Sequence, residues 1–390
     1  MKITDVKLYP VVPDLGQAAP AGMTGSRISW LFVQVETDEG ITGTGEATNW
    51  LRRGSLIVGE TLEVLKKTLV GRDPGHIEKL WNEMYRAFTY MGSRGVVTTA
   101  ISGVDIALWD IKGKALGKPV YDLLGGPVRD SLLLYTHPAH PLDAKPEDLG
   151  RYGMELVKQG FTGLKIDPYR TEMVPYHTAY VGGQISLEGI RLGASKTAAL
   201  RAAVGPDIEI LVDLHGHYNV ATAVRCIKVL EPYDVGWFEE PLPPESLDGL
   251  RQVRAQTDAP LCTGERLFSK WDFAPVLREG LVNYVMPDVV WCGGISEMRK
   301  IAIMSEGYLV PISPHQANGP IQVLAGAHAM MVSPNFFRLE IFSRQMHAFN
   351  AAISPPLDVR NGRLFLSGKP GIGAELNMDY VQRHRDPDWK

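Results

Sequence analysis

IEILVDLHGH, residues 208–217, is an apolar run that ends on an acid, Asp213. The same design returns at WFEEP (237–241) with Glu239, and again at CTGERLF (262–268) with Glu265. The three acids stand at equal intervals of 26 residues, about the length of one strand-plus-helix unit. Acids at the carboxyl ends of three successive parallel strands converge on one point at the top of a barrel. Three hard oxygen donors there suit one Mg²⁺ per chain, an ion that takes few protein ligands and leaves positions for water and substrate.

Working outward from that stretch, eight short apolar runs follow one another. They are SLLLYTH (131–137), GLKID (163–167), IEILVDLHG (208–216), VGWFEE (235–240), APLCTGE (259–265), VNYVMPD (282–288), YLVPISPH (308–315) and NFFRLE (335–340). Most precede a helix-length segment, so residues 126–350 are expected to form an α/β domain, a (β/α)₈ barrel. Residues 1–125 read as a separate α+β region. Strand patterns in MKITDVKLYPVV (1–12) and SRISWLFVQVETDEGITGTGEA (26–47) flank a turn at Asp38-Glu39-Gly40. Helical patterns follow at 55–70, 76–88 and 98–116, the last stopped by Gly117-Lys118-Pro119. The tail, 351–390, has strand and turn character and is expected to return to the first domain. The stretch Tyr169–Ile190 is too long for a minimal strand-to-helix loop. It reads as a lid over the site or a surface excursion, and the lid is preferred because such loops face a barrel's active end.

The chain has 390 residues, 45% hydrophobic and 22% charged, and a net charge of −4. That is the profile of a soluble enzyme, with no electrostatic case for nucleic acid or an anionic membrane. No run approaches the roughly 18 apolar residues of a membrane helix. Cys226, Cys262 and Cys292 lack metal spacing and read as buried thiols in the reducing cytoplasm.

Other strand ends also carry ionisable groups: Lys165 and Asp167 on the second, Asp288 on the sixth, His315 on the seventh and Glu340 on the eighth. Asp213 and His215 are two residues apart, so on a continuing strand they share a face. Either Glu239 or its neighbour Glu240 could be the second acid of the triad, and the equal interval favours Glu239. Asp288 can orient His315 across adjacent strands and raise its basicity. His215 as a metal ligand would favour zinc, but three carboxylates already make a hard site.

The order Lys165-x-Asp167, Asp213-x-His215, Glu239, Glu265, Asp288, His315 and Glu340 resembles the enolase superfamily. Within it the chain looks like the mandelate racemase subgroup, and most like acid-sugar dehydratases of the D-galactonate dehydratase type. GVDIALWDIKGKALGKPVYDLLGG (103–126), GERLFS (264–269) and KPGIGAELN (369–377) extend the likeness over almost the whole chain. The resemblance implies a capping domain built from both termini, one Mg²⁺, and a homo-oligomer such as an octamer. It also exposes departures. Racemases of the subgroup carry Lys-x-Lys on the second strand, where this chain has Asp167 in place of the second lysine. The third strand supplies His215 at the position where the family's dehydratases place an acid. Both departures favour dehydration over racemisation, epimerisation or cycloisomerisation; a catalytically silent binding relative is the rival of another class.

On that reading a lyase removes the proton next to a carboxylate and expels the β-hydroxyl, yielding a 2-keto-3-deoxy acid. Asp213, Glu239 and Glu265 would hold the metal. His315, supported by Asp288, would be the base and His215 the acid; Lys165 would add positive charge near the carboxylate, and Glu340 would orient the substrate. Asp167, His137, His140, Trp50, Tyr90 and Arg170 are the candidate substrate contacts, from Gly16–Ser26, Asn49–Arg53, Tyr90-Met91, Tyr169-Arg170 and the first strand's end. A hexonate such as galactonate or gluconate is the expected substrate, whereas Arg170 meeting a second carboxylate would favour a diacid.

Overall fold

The computed structural model describes residues 1–16, 28–49, 51–138, 144–169 and 183–389. The first domain opens with an antiparallel sheet of β1 (Ile3–Val11), β2 (Trp30–Thr37) and β3 (Thr42–Glu46). It continues through α1 (Arg52–Leu69), α2 (Ile77–Ala87), α3 (Val96–Leu116) and the short α4 (Val120–Leu123). α3 is buried on nearly every side, between the sheet and the second domain, which explains an apolar sequence with little amphipathic period. Gly117 closes it in a left-handed conformation, φ 63°, as its place before Lys118-Pro119 predicts.

The barrel alternates β4 (Leu132–Tyr135), α5 (Pro146–Lys158), β5 (Gly163–Ile166), α6 (Leu187–Val204), β6 (Glu209–Asp213), α7 (Val220–Leu230) and β7 (Val235–Glu239). It goes on through α8 (Leu247–Arg254), β8 (Leu261–Thr263), α9 (Ser269–Arg278), β9 (Tyr284–Val285), α10 (Gly294–Gly307), α11 (Pro320–Met331) and β10 (Leu339–Glu340). β5 to β9 form one parallel sheet in sequence order. The seventh stave, around Ile312, bridges Val285 on one side and Phe336 on the other. β10 pairs with β4, and Thr136 bridges Leu164, so the ring closes on itself. A layer of Tyr135, Leu211, Trp237, Cys262 and Met286 fills the interior. All three cysteines are free and buried, and among the described residues no helix is long and apolar enough to cross a membrane.

The tail continues through α12 (Met346–Ala352), β11 (Ile353–Ser354), β12 (Asp358–Arg360), β13 (Arg363–Phe365), β14 (Glu375–Leu376) and α13 (Met378–Arg383). Expected to return to the first domain, it contacts both domains. β13 pairs with the start of β4, inside the barrel domain, because β4 exposes an unpaired edge there. Further on, the Ile372 amide donates to buried Asp110 of α3, Arg385 bridges Val11, and Asp386 forms an ion pair with Arg52.

The two domains join at the beginnings of α10 and α11. Asp105 of α3 accepts hydrogen bonds from the amide and hydroxyl of Ser296, and Trp81 donates to the Gly293 carbonyl at 2.8 Å. Glu46 at the end of β3 accepts from the amides of Gly319 and Gln322. Those helices follow the barrel strands that carry Asp288 and His315, so the first domain is docked on the half of the barrel that holds them.

Candidate active site

β6 and β7 end in register, Asp213 opposite Glu239. β8 stops at Thr263, and Gly264 adopts φ 140° before Glu265; a side chain there would meet the Phe273 ring at 2.7 Å. That turn swings Glu265 towards the other two acids. One carboxylate oxygen from each of Asp213, Glu239 and Glu265 lies within 4.8 Å of the others, and all three residues are buried. Glu240 is not part of this set. With φ 44° it turns into the wall, where Thr263, the Gly264 amide and Arg266 surround its carboxylate.

Lys165 enters the cluster from β5. Its Nζ lies 2.6 Å from Glu239, 2.9 Å from Glu340 and 3.3 Å from Asp213, and those charges hold its pKa well above the ordinary lysine range despite burial. Trp237, one step below, donates to the other oxygen of Glu239 at 3.1 Å. Burial and then repulsion from Asp213 push Glu239 well above the usual carboxylate range. Burial also presses on Asp213, but His215 and Lys165 outweigh it and pull that group down. Acids forced together this way, with one lysine among them, carry excess negative charge that a divalent cation would neutralise. The all-oxygen donor set fits a hard ion.

Two imidazoles flank the triad. His315 Nδ1 lies 2.7 Å from Asp288 and its Nε2 3.3 Å from Glu265. His215 Nδ1 lies 3.0 Å from Asp167 and its Nε2 3.3 Å from Asp213. The third and seventh staves carry them, half a turn of the barrel apart. Burial disfavours charge on both rings, yet nearby carboxylates outweigh it: Glu265 first for His315, raised to about 9, and Asp213 first for His215, also raised. The same carboxylates that favour a proton on His315 would hold it less strongly once a bound dication balanced their charge.

Several sequence expectations need correction. The strand pleat does not carry His215, because β6 ends at Asp213 and His215 has φ 50°. A left-handed turn, stabilised by the His215 amide on Asp213 at 2.8 Å, brings the ring back to the site. Asp167, expected to touch substrate, lies 3.0 Å from His215 Nδ1. His137 lies 2.7 Å from Glu340 and stacks on Phe342, with ring centroids 4.4 Å apart, so it supports Glu340. Tyr169 is buried and donates to the Cys226 carbonyl, which removes it from any specificity loop. Tyr90 stands fully exposed after α2 at 103%, so among the described residues its ring forms no wall of the site. Trp50, Arg170, His140 and residues 17–26 lie outside the described residues, as does 170–182 of the expected lid. The sequence reading missed the Asp167–His215 pair; its signal was the two-residue spacing of Lys165 and Asp167, which puts both at one strand end.

Two family models match the chain: mandelate racemase / muconate lactonizing enzyme, N-terminal domain, over residues 4–125, and enolase C-terminal domain-like over 150–380. D-galactonate dehydratase of Verminephrobacter eiseniae is 36% identical over 399 residues, spanning 100% of this chain and 96% of the relative. D-gluconate dehydratase of Thermoproteus tenax is 33% identical over 91% of this chain and 69% of its own length. The crystal structure of a mandelate racemase/muconate lactonizing enzyme from Jannaschia sp. CCS1 superposes with a TM-score of 0.87 at 31% identity, covering 99% of this chain and 98% of that one. With both domains matched and an acidic triad at the barrel mouth, the chain belongs to the mandelate racemase subgroup of the enolase superfamily.

Proposed function

We propose that this chain is an Mg²⁺-dependent hydro-lyase that dehydrates a sugar acid, a hexonate such as galactonate or gluconate, to its 2-keto-3-deoxy product. The observation that carries the reading is the pair of imidazole–carboxylate dyads, each with Nε2 against a different member of the acidic triad. A dehydratase needs a base for the α-proton and an acid for the β-hydroxyl, and two histidines on opposite sides of the barrel supply both. Asp167 argues against a lysine-based racemase. It is bound to His215 Nδ1 and takes the place of the second base. The similarity to D-galactonate and D-gluconate dehydratases supports the substrate class.

Asp213, Glu239 and Glu265 would hold the ion, and Mg²⁺ there would stabilise negative charge developing on the substrate carboxylate. Lys165 adds a fixed positive charge beside the same position, anchored by Glu239 and Glu340. His315 takes the α-proton on Nε2 while Asp288 holds Nδ1–H. His215 gives its proton to the departing β-hydroxyl, which leaves as water, and the enol then becomes the keto acid. Glu340, held by His137, Lys165 and the Gln316 amide, orients the substrate.

Hexonates, pentonates and aldarates, each incubated with enzyme and Mg²⁺, would be assayed for 2-keto acid with semicarbazide. Release from a hexonate is expected. Exchange of the α-proton with no keto acid from any substrate would replace the reading with an epimerase. Glu265→Gln is expected to weaken Mg²⁺ binding by at least about 10-fold in calorimetry, without substrate. An unchanged affinity would remove Glu265 from the metal set.

A further inference from the structure

Glu46, at the end of β3 in the first domain, is wholly buried, as are Gln322 and Asp288. The three form a line that ends on His315. Glu46 accepts from the Gly319 amide at 2.6 Å, the Thr48 hydroxyl at 2.6 Å and the Gln322 amide at 3.0 Å. Gly319 precedes α11, with Pro320 first in the helix, and has no side chain to cap it. A Cβ there would meet the Glu46 carboxylate at 2.7 Å. The first turn of α11 therefore takes its acceptor from another domain, a carboxyl group at the positive end of the helix.

The side chain of Gln322 continues the line. Its Oε1 accepts from the Asn318 amide at 2.7 Å, so its NH₂ faces the other way. That NH₂ donates to Asp288 Oδ2 at 2.6 Å, the same oxygen that meets His315 Nδ1 at 2.7 Å. The Val290 amide takes Asp288 Oδ1 at 2.8 Å. Both carboxylate oxygens are thus engaged by donors, and the carboxylate plane is locked. An NH₂ group has no lone pair to offer, so it holds Asp288 as an acceptor. As a carboxylate Asp288 has no proton to give, so His315 carries its hydrogen on Nδ1, which leaves Nε2 to take a proton.

We infer that Gln322, seated by Glu46 of the first domain, is a positioning residue for the base: its amide fixes Asp288, and Asp288 fixes the tautomer and direction of His315. This rests on His315 being the base, as proposed above. Without the Gln322 amide, a buried carboxylate loses one of its donors and can rotate about its last bond. A residue that only packed the domain interface would show none of this directionality.

Gln322→Met keeps length and burial and deletes the donor. The expected result is a fall in kcat of roughly 10–100-fold, the range for partners of an active-site histidine. KM and Mg²⁺ affinity should stay within about twofold. Glu46→Gln should fall in the same direction by less, since it reaches Asp288 only through Gln322. A second readout needs no substrate. With Mg²⁺ bound, the imidazole N–H proton resonance that His315→Asn removes is expected to shift or broaden in Gln322→Met. Wild-type kcat with that resonance unmoved would overturn the inference. So would a loss of kcat that follows the melting temperature while the resonance stays in place. If no acid yields keto acid with the wild-type protein, the proposed reaction fails, and the resonance alone still decides whether Gln322 sets the His315 tautomer. Gln322→Asn, too short to span Asn318 and Asp288, repeats both readouts should the Met variant not fold.

Discussion

His315→Asn is expected to stop exchange of the substrate α-proton with D₂O and to stop keto-acid release together. One proton-transfer group is worth about 10²–10⁴-fold, and without the first transfer no later step begins. Asparagine suits the test because it keeps a polar side chain beside Asp288, so the buried carboxylate retains a neighbour. The pH dependence has a definite sign. A base must be unprotonated, so wild-type kcat/KM should fall on the acid side of the His315 pKa and level off above it. That group is raised to about 9 by carboxylates including Glu265, so balancing the charge on Glu265 with a dication must move the limb below 9. Deuterium incorporation by proton NMR and semicarbazide trapping would be followed between pH 6 and 10. Retained exchange in the variant would remove His315 from the role of base.

The barrel was legible because period and punctuation agreed: each apolar run ended on a polar group, and the equal spacing of Asp213, Glu239 and Glu265 reflects a repeated unit. The helices of the first domain were legible for the same reason, and Gly117-Lys118-Pro119 marked the end of α3. Features set by a few dihedrals were not. His215, Glu240 and Gly264 all have positive φ. Beyond each, strict alternation no longer says which way a side chain points. This is why His215 reached the site by a route other than the pleat, and why Glu240 left it. Asp167 looked like a substrate contact because its partner, His215, is 48 residues away. Glu46 and Gln322 are 276 residues apart, and no local pattern links a strand end to a helix start in another domain. Tyr90 and Tyr169 had the same aromatic chemistry in sequence and opposite fates, one fully exposed and one buried. Neighbours in space decide that difference.

His215→Asn is expected to separate the two halves of the reaction. Keto-acid release should drop by about 10²–10⁴-fold, while α-proton exchange, which needs only His315, continues. The structure gives the reason for assigning the acid to this ring. Asp213 and Asp167 raise its pKa against burial, which favours the protonated ring, and Asp167 at Nδ1 aims Nε2 at the triad. Asp167→Asn should therefore lose dehydration too, though less severely, because the imidazole remains but its orientation and charge are weakened. Since the third and seventh staves face each other, the proton and hydroxyl should leave from opposite faces of the substrate. The epimer with inverted C2 would present its α-hydrogen to the wrong histidine and should yield no product. Equal turnover of both C2 epimers would contradict this geometry. Loss of exchange together with dehydration in His215→Asn would mean that the two rings do not divide the work as their carboxylate partners suggest.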